Sequence, residues 1–142
     1  SAAYMETPEL SISVGDLIGI PRVTLRGAMD SWHDQAVSGV LSAFRDQAST
    51  SMVLDIANLS FAGVGGATSM INVLRALGPE ISVHVVASGS PAKILRKAEL
   101  GPSVRVYSTT DEIAEYLTPA EEALTSRWLA RGSDDAELPL AA

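Results

Sequence analysis

A chain of 142 residues, 46% hydrophobic and 19% charged, has enough apolar material for one domain with its own core. Its net charge of −7 works against electrostatic binding to nucleic acid or to an anionic membrane surface. The chain has no cysteine, which fits the cytoplasm, and its two histidines are too few for a histidine-rich metal site.

Leu10 to Pro21 reads as two short extended pieces, broken at Gly15-Asp16 and closed by Gly19 and Pro21. In Arg22 to Gly27, Val23 and Leu25 alternate with Arg22, Thr24 and Arg26, the pattern of a strand with one buried face. The two segments are close enough to pair as a hairpin. Asp30 or Ser31 suits a helix N-cap. Beyond it Val37, Val40, Leu41, Phe44 and Ala48 recur at helical spacing, and Ser49-Thr50-Ser51 ends that helix.

Met52 to Ile56 is an apolar run expected of a central strand covered on both faces. It leads into a glycine-rich turn at Gly63, Gly65 and Gly66, which opens a helix with Ala67, Met70, Ile71, Leu74 and Leu77 on one side. Gly78-Pro79 stops it. Ile81 to Ala87 is a further strand, and Ser90-Pro91 starts a helix with proline at its first position. Ile94, Leu95 and Ala98 form that helix's apolar face, and Leu100-Gly101-Pro102 ends it. Val104 to Tyr107 is the last short strand, and Thr109-x-x-Glu112 is a capping box for a helix through Ile113 and Leu117.

The order β-β-α-β-α-β-α-β-α implies an α/β fold: a mixed, mainly parallel sheet of four to five strands with helices. The domain spans 10–117. Residues 118–132 carry a second capping box and Ala120, Leu124 and Trp128 at helical spacing, an extra C-terminal helix. It either packs on the domain, the preferred reading, or supports a homodimer through Trp128. Residues 133–142 form an acidic tail. No run of about eighteen apolar residues and no charged-then-apolar leader before Met5 marks a membrane span or an export signal.

The glycine turn is the candidate site. It fails as a dinucleotide fingerprint because Thr68 stands at the third glycine position and because the turn lies past the strand core. It fails as a P-loop because no Gly-Lys-[Ser/Thr] follows. Two readings survive: a helix start that docks a partner, and glycines that merely permit a tight turn. Asp55 and Asp30 read as partners of backbone N–H groups, and His33 and His84 have no serine or acid at a catalytic spacing. The residues carry no enzyme signature and call for no cofactor. Lys93, Arg96 and Lys97 make a small basic patch, a solvated face able to meet an acidic partner.

Three segments resemble the sulfate-transporter and anti-sigma-factor-antagonist (STAS) family. Val23 to Asp30 is similar to its strand ending Gly-x-hydrophobic-Asp. Val53 to Gly66 is similar to its strand, loop and Asp-Ser-Ser-Gly helix start. Ile94 to Gly101 is similar to its leucine and Gly-Leu region, with the last pair reversed. The resemblance implies a transcription-regulating signalling domain that binds an anti-sigma factor with serine-kinase activity, and a phosphoacceptor at the helix start. Here Gly63 stands for the acid, Val64 for the first hydroxyl residue and Gly65 for the phosphoacceptor, and only Gly66 is retained. The expectation is a cytoplasmic, non-enzymatic domain that docks through Asn58, Ser60, Gly63, Val64, Gly65, Gly66 and Thr68, its serine switch lost. Thr68 and Ser69 are alternative phosphosites. A scaffold subunit assembled with other STAS proteins and a nucleotide- or small-anion-binding module are the competing readings.

Overall fold

The computed structural model describes residues 10–47 and 50–117. Ala48, Ser49, the C-terminal helix expected over 118–132 and the tail 133–142 lie outside the described residues. The chain divides into two units, Ser1–Thr110 and Asp111–Ala142. The first holds every strand among the described residues and the candidate site; residues 110–117 are helical.

Strands β1 (Leu10–Leu17) and β2 (Ile20–Met29) form an antiparallel hairpin. Gly15-Asp16 does not break β1, because Gly15 pairs with Arg22 and Asp16 with Pro21 in unbroken register. The reversal falls instead on Ile18 and Gly19, at φ 54° and 77°. A two-residue loop that matches the sheet's twist needs this left-handed backbone at both positions. Asp16 Oδ2 accepts the Gly19 N–H at 3.3 Å and helps hold the turn.

Strands β3 (Ser51–Phe61), β4 (Ser82–Val86) and β5 (Val104–Tyr107) complete a five-stranded sheet in the order β1-β2-β3-β4-β5, with every pair after the hairpin parallel. Helices α1 (Asp34–Asp46), α2 (Gly63–Ala76) and α3 (Gly89–Lys97) connect them. Met52, Leu54 and Ile56 of β3 and Val83 and Val85 of β4 share one core with Val37 and Leu41 of α1, Met70 and Leu74 of α2, and Ala92 and Leu95 of α3. Because side chains alternate across a strand, these three helices cover one face of the sheet, and Val53, His84 and Val86 lie on the other.

Strand β3 runs five residues beyond the apolar stretch that ends at Ile56. Thr24 pairs with Asp55 but Arg26 pairs with Asn58, so β3 carries one extra residue there, a β-bulge. Asp55 Oδ1 accepts the Ala57 N–H at 3.1 Å inside the bulge. The bulge resets the alternation, so that Leu59 returns to the core and Phe61 packs against it. Asp55 therefore lies in mid-strand rather than at a strand end. Consecutive helices are also tied at their ends. Arg45 donates to the Ala76 carbonyl at 3.1 Å and Arg75 to the Ala98 carbonyl at 2.9 Å, each a cation at a helix C-terminus.

Candidate functional site

Two helix starts meet where β2 and β3 end. Asp30 follows β2 and caps a 3-10 turn, Ser31–His33, that leads into α1. Its Oδ1 accepts the Ser31 N–H at 2.7 Å, and its own N–H donates to His33 Nδ1 at 2.9 Å. Asp30 and His33 thus close a capping box, in which Asp30 is the cap the sequence suggests and His33 its partner. Trp32 sits in that turn, 71% exposed, with its ring edge-on to His33 at 5.4 Å.

The second start follows β3. Only Ala62 separates the strand from α2, so the glycine turn lies directly at the strand's end, contrary to the expectation that it lay well past it. The apolar alternation hid the true end because the bulge interrupts it. The dinucleotide fingerprint still lacks its third glycine. Gly63 adopts φ +69°, a conformation that strains any residue with a Cβ, and no side chain caps the helix. Val64 is 83% exposed at the leading turn.

The candidate residues separate by environment. Asn58, Ser60, Gly63, Val64, Gly65 and Thr68 are exposed, whereas Gly66 and Ser69 are buried. Gly66 is corrected from a surface residue to a packing one. A Cβ there would overlap the Met29 carbonyl oxygen, which also accepts the Ala62 N–H at 2.8 Å. Ser69 is 7% exposed, on the side of α2 that faces inward, one residue before the fully buried Met70. Gly65 differs from Gly66: a Cβ added there would stand 3.5 Å from Ser31 Cβ and 3.9 Å from Asp30 Oδ1, in ordinary contact. The two helix starts therefore touch, Ser31 against Gly65, and their exposed neighbours Trp32 and Val64 belong to one end of the domain.

Beside Val64 lies a hollow of about 460 Å³, lined by Ser60, Phe61, Gly63, Val64, Ala67, Ser90, Pro91 and Ile94. Helix α3 reaches it because its first turn begins at Gly89, after the N-cap Ser88, two residues earlier than the proline suggests. Pro91 sits at the third helical position, where its missing N–H costs no hydrogen bond. Sequence reasoning missed Pro91 and Ile94 as neighbours of the glycine turn, since only tertiary folding brings α3 beside α2. Asn58, three residues before the strand end, is not among the lining residues.

His84 lies on the opposite sheet face, 5% exposed, with Nδ1 3.0 Å from the Tyr107 hydroxyl. Burial first, and then the positive charge of Arg105, lowers its pKa below 6.5. Among the described residues no group of three or more His, Asp or Glu side chains could hold a metal ion, and no helix is long and apolar enough to cross a membrane.

The domain is thus a mixed α/β sheet with three helices on one face and an uncapped helix start at the C-terminal end of its central strand. No family model and no curated protein matches the sequence. Known structures do match the fold. An anti-sigma factor antagonist from Mycobacterium paratuberculosis is similar with TM-score 0.63 at 22% identity, over 79% of this chain and 97% of that one. A DUF3478-family protein with a SpoIIAA-like fold from Shewanella loihica PV-4 follows at TM-score 0.55 and 14% identity, over 76% and 93%. The anti-sigma factor antagonist SpoIIAA in its unphosphorylated form gives TM-score 0.53 and 14% identity, over 76% and 98%. The fold is that of these anti-sigma factor antagonists, the SpoIIAA-like fold.

Proposed function

We propose that this chain is a non-enzymatic regulatory domain that docks on an anti-sigma factor of the serine-kinase kind, or on a similar regulator. The contact surface is the exposed part of 58–68, namely Asn58, Ser60, Gly63, Val64, Gly65 and Thr68. One observation carries this reading: Val64, 83% exposed, leads an uncapped helix in the fold of an anti-sigma factor antagonist. The second half of the proposal concerns regulation. A phosphate at a helix start adds up to about two negative charges and disrupts a close interface by repulsion and desolvation. Gly63, Val64 and Gly65 have no hydroxyl to accept one, so binding persists in the presence of the kinase's ATP. The nucleotide-binding alternative has less support, since Phe61, Val64, Ala67, Pro91 and Ile94 make the neighbouring hollow apolar.

Affinity purification from the native cell, followed by pull-down of the purified partner with and without ATP, tests both halves. The expected result is binding unchanged by ATP, no phosphate on the chain, and loss of binding in Val64→Asp. Retained binding in Val64→Asp overturns the docking surface. Release by ATP with phosphate on Ser60, Thr68 or Ser69 overturns the lost switch.

A further inference from the structure

The hollow beside Val64 has an apolar lining, and helix α3, which supplies three of its residues, also carries a basic stripe. Its walls come from the end of β3 and the first turns of α2 and α3, with Phe61, Ala67, Pro91 and Ile94 half-buried. On α3, Ser90, Ile94 and Lys97 fall on one stripe at i, i+4 and i+7, and Lys93 stands beside it, four residues before Lys97. Helix α3 carries Lys93, Arg96 and Lys97 and no acid, in a chain of net charge −7. Lys93 and Lys97 are exposed and have no carboxylate partner among the described residues. The charge of α3 is thus opposite to that of the molecule, on the same helix whose Ser90, Pro91 and Ile94 line a hollow large enough for a branched apolar side chain.

Resting on the docking reading above, we propose that the occupant is an acidic, apolar segment of the partner protein. A leucine-like side chain enters the hollow against Phe61, Val64, Ala67 and Ile94. Carboxylates flanking it meet the ammonium groups of Lys93 and Lys97. Neither α2 nor α3 has an acid in its first turn, so the positive ends of both helices add to the same attraction. A basic segment would be repelled by Lys93 and Lys97.

The test is an NMR titration of the isotope-labelled full chain with three peptide probes. One has leucines flanked by glutamates, one has lysine in place of each glutamate, and one has serine in place of each leucine. The acidic leucine peptide is expected to shift amides at 60–67 and 90–97, with binding weakened as salt rises. The serine peptide should bind about tenfold more weakly, and the acidic leucine peptide should bind K93E/K97E about tenfold more weakly. Preference for the lysine peptide, shifts on another face, or no shifts with any peptide overturns the proposal. So do shifts that follow protein concentration alone, which place a second copy in the hollow. The purified natural partner separates the two levels. Loss of binding in Val64→Asp with K93E/K97E unaffected leaves the docking surface standing and removes the acidic segment. If neither variant changes binding, the docking reading falls as well.

Discussion

The two helix starts at the end of β2 and β3 touch, yet they are finished in opposite ways. At the first, Asp30 and His33 exchange hydrogen bonds with each other's backbone, so the orphan N–H groups of the turn are satisfied within the chain. At the second, Ala62 offers no side-chain cap, Gly63 turns the chain at positive φ, and Val64 projects into solvent. A start that satisfies itself is architecture. One that leaves its polar groups and an apolar side chain facing outward is available to another molecule. Their contact through Ser31 and Gly65 means the first start braces the second.

The largest expected effect tests that bracing. Gly66→Ala drives a Cβ into the Met29 carbonyl oxygen, and so also disturbs the Ala62 N–H bond that ties the end of β3 to β2. Backbone gives way less readily than a side-chain tip, so the loss should be about 3 kcal/mol or more, measured by urea unfolding. A loss within about 0.5 kcal/mol, typical of surface changes, would show that the two starts are not locked together. Asp30→Ala comes next. It removes the cap of the first start, and about 1 kcal/mol of stability should go with it, while Val64 stays where it is. Gly63→Ala probes the second start at a similar level. Its Cβ meets open space, so the expected cost of about 1 kcal/mol is backbone strain alone.

Much of this was legible from residue patterns, and the exceptions have physical causes. The element order, the hairpin, the buried Val23 and Leu25 and the cap at Asp30 follow from alternation, helical spacing and side-chain capping chemistry, all local signals. The true length of β3 was hidden because a bulge at Asp55–Ala57 breaks the period-two pattern on which strands are recognised. The break in β1 was misplaced because Gly15-Asp16 reads as a turn, while the actual turn uses Ile18, a residue that local preference places in strands. The candidate segment 58–68 was visible as a glycine-rich helix start. The burial of Gly66 and Ser69, and the approach of Pro91 and Ile94, depend on contacts between elements distant in sequence, which no spacing within one segment encodes.

A pH measurement subtracts what belongs to neither start. The pKa of His84 is lowered in the folded protein, so the unfolded chain binds more protons below pH 6.5. Stability should therefore hold above pH 6.5 and fall as pH drops from there toward the folded value. His84→Gln should remove that dependence. Asp30→Ala and Gly63→Ala should keep it, since His84 sits on the opposite face of the sheet. Urea midpoints measured from neutral to mildly acidic pH decide this. Loss of the His84-dependent slope in either of those variants would mean that the two faces are coupled.

The smallest expected effect on stability is the most informative for function. Gly65 is exposed, has ordinary backbone geometry, and has room for a Cβ beside Ser31, so Gly65→Ser should change stability by less than about 0.5 kcal/mol. The new hydroxyl would stand at the first turn of α2 within reach of Asp30, where a phosphate would face a carboxylate across the contact between the two starts. If the switch was lost through the residue alone, Gly65→Ser incubated with the partner kinase and ATP should gain one phosphate by mass spectrometry. The wild-type chain should gain none, and only the variant should release the partner. An unmodified Gly65→Ser that still binds would show that the loss extends beyond the missing hydroxyl. Gly63, which turns the chain at positive φ just before Val64, would then be the next position to vary.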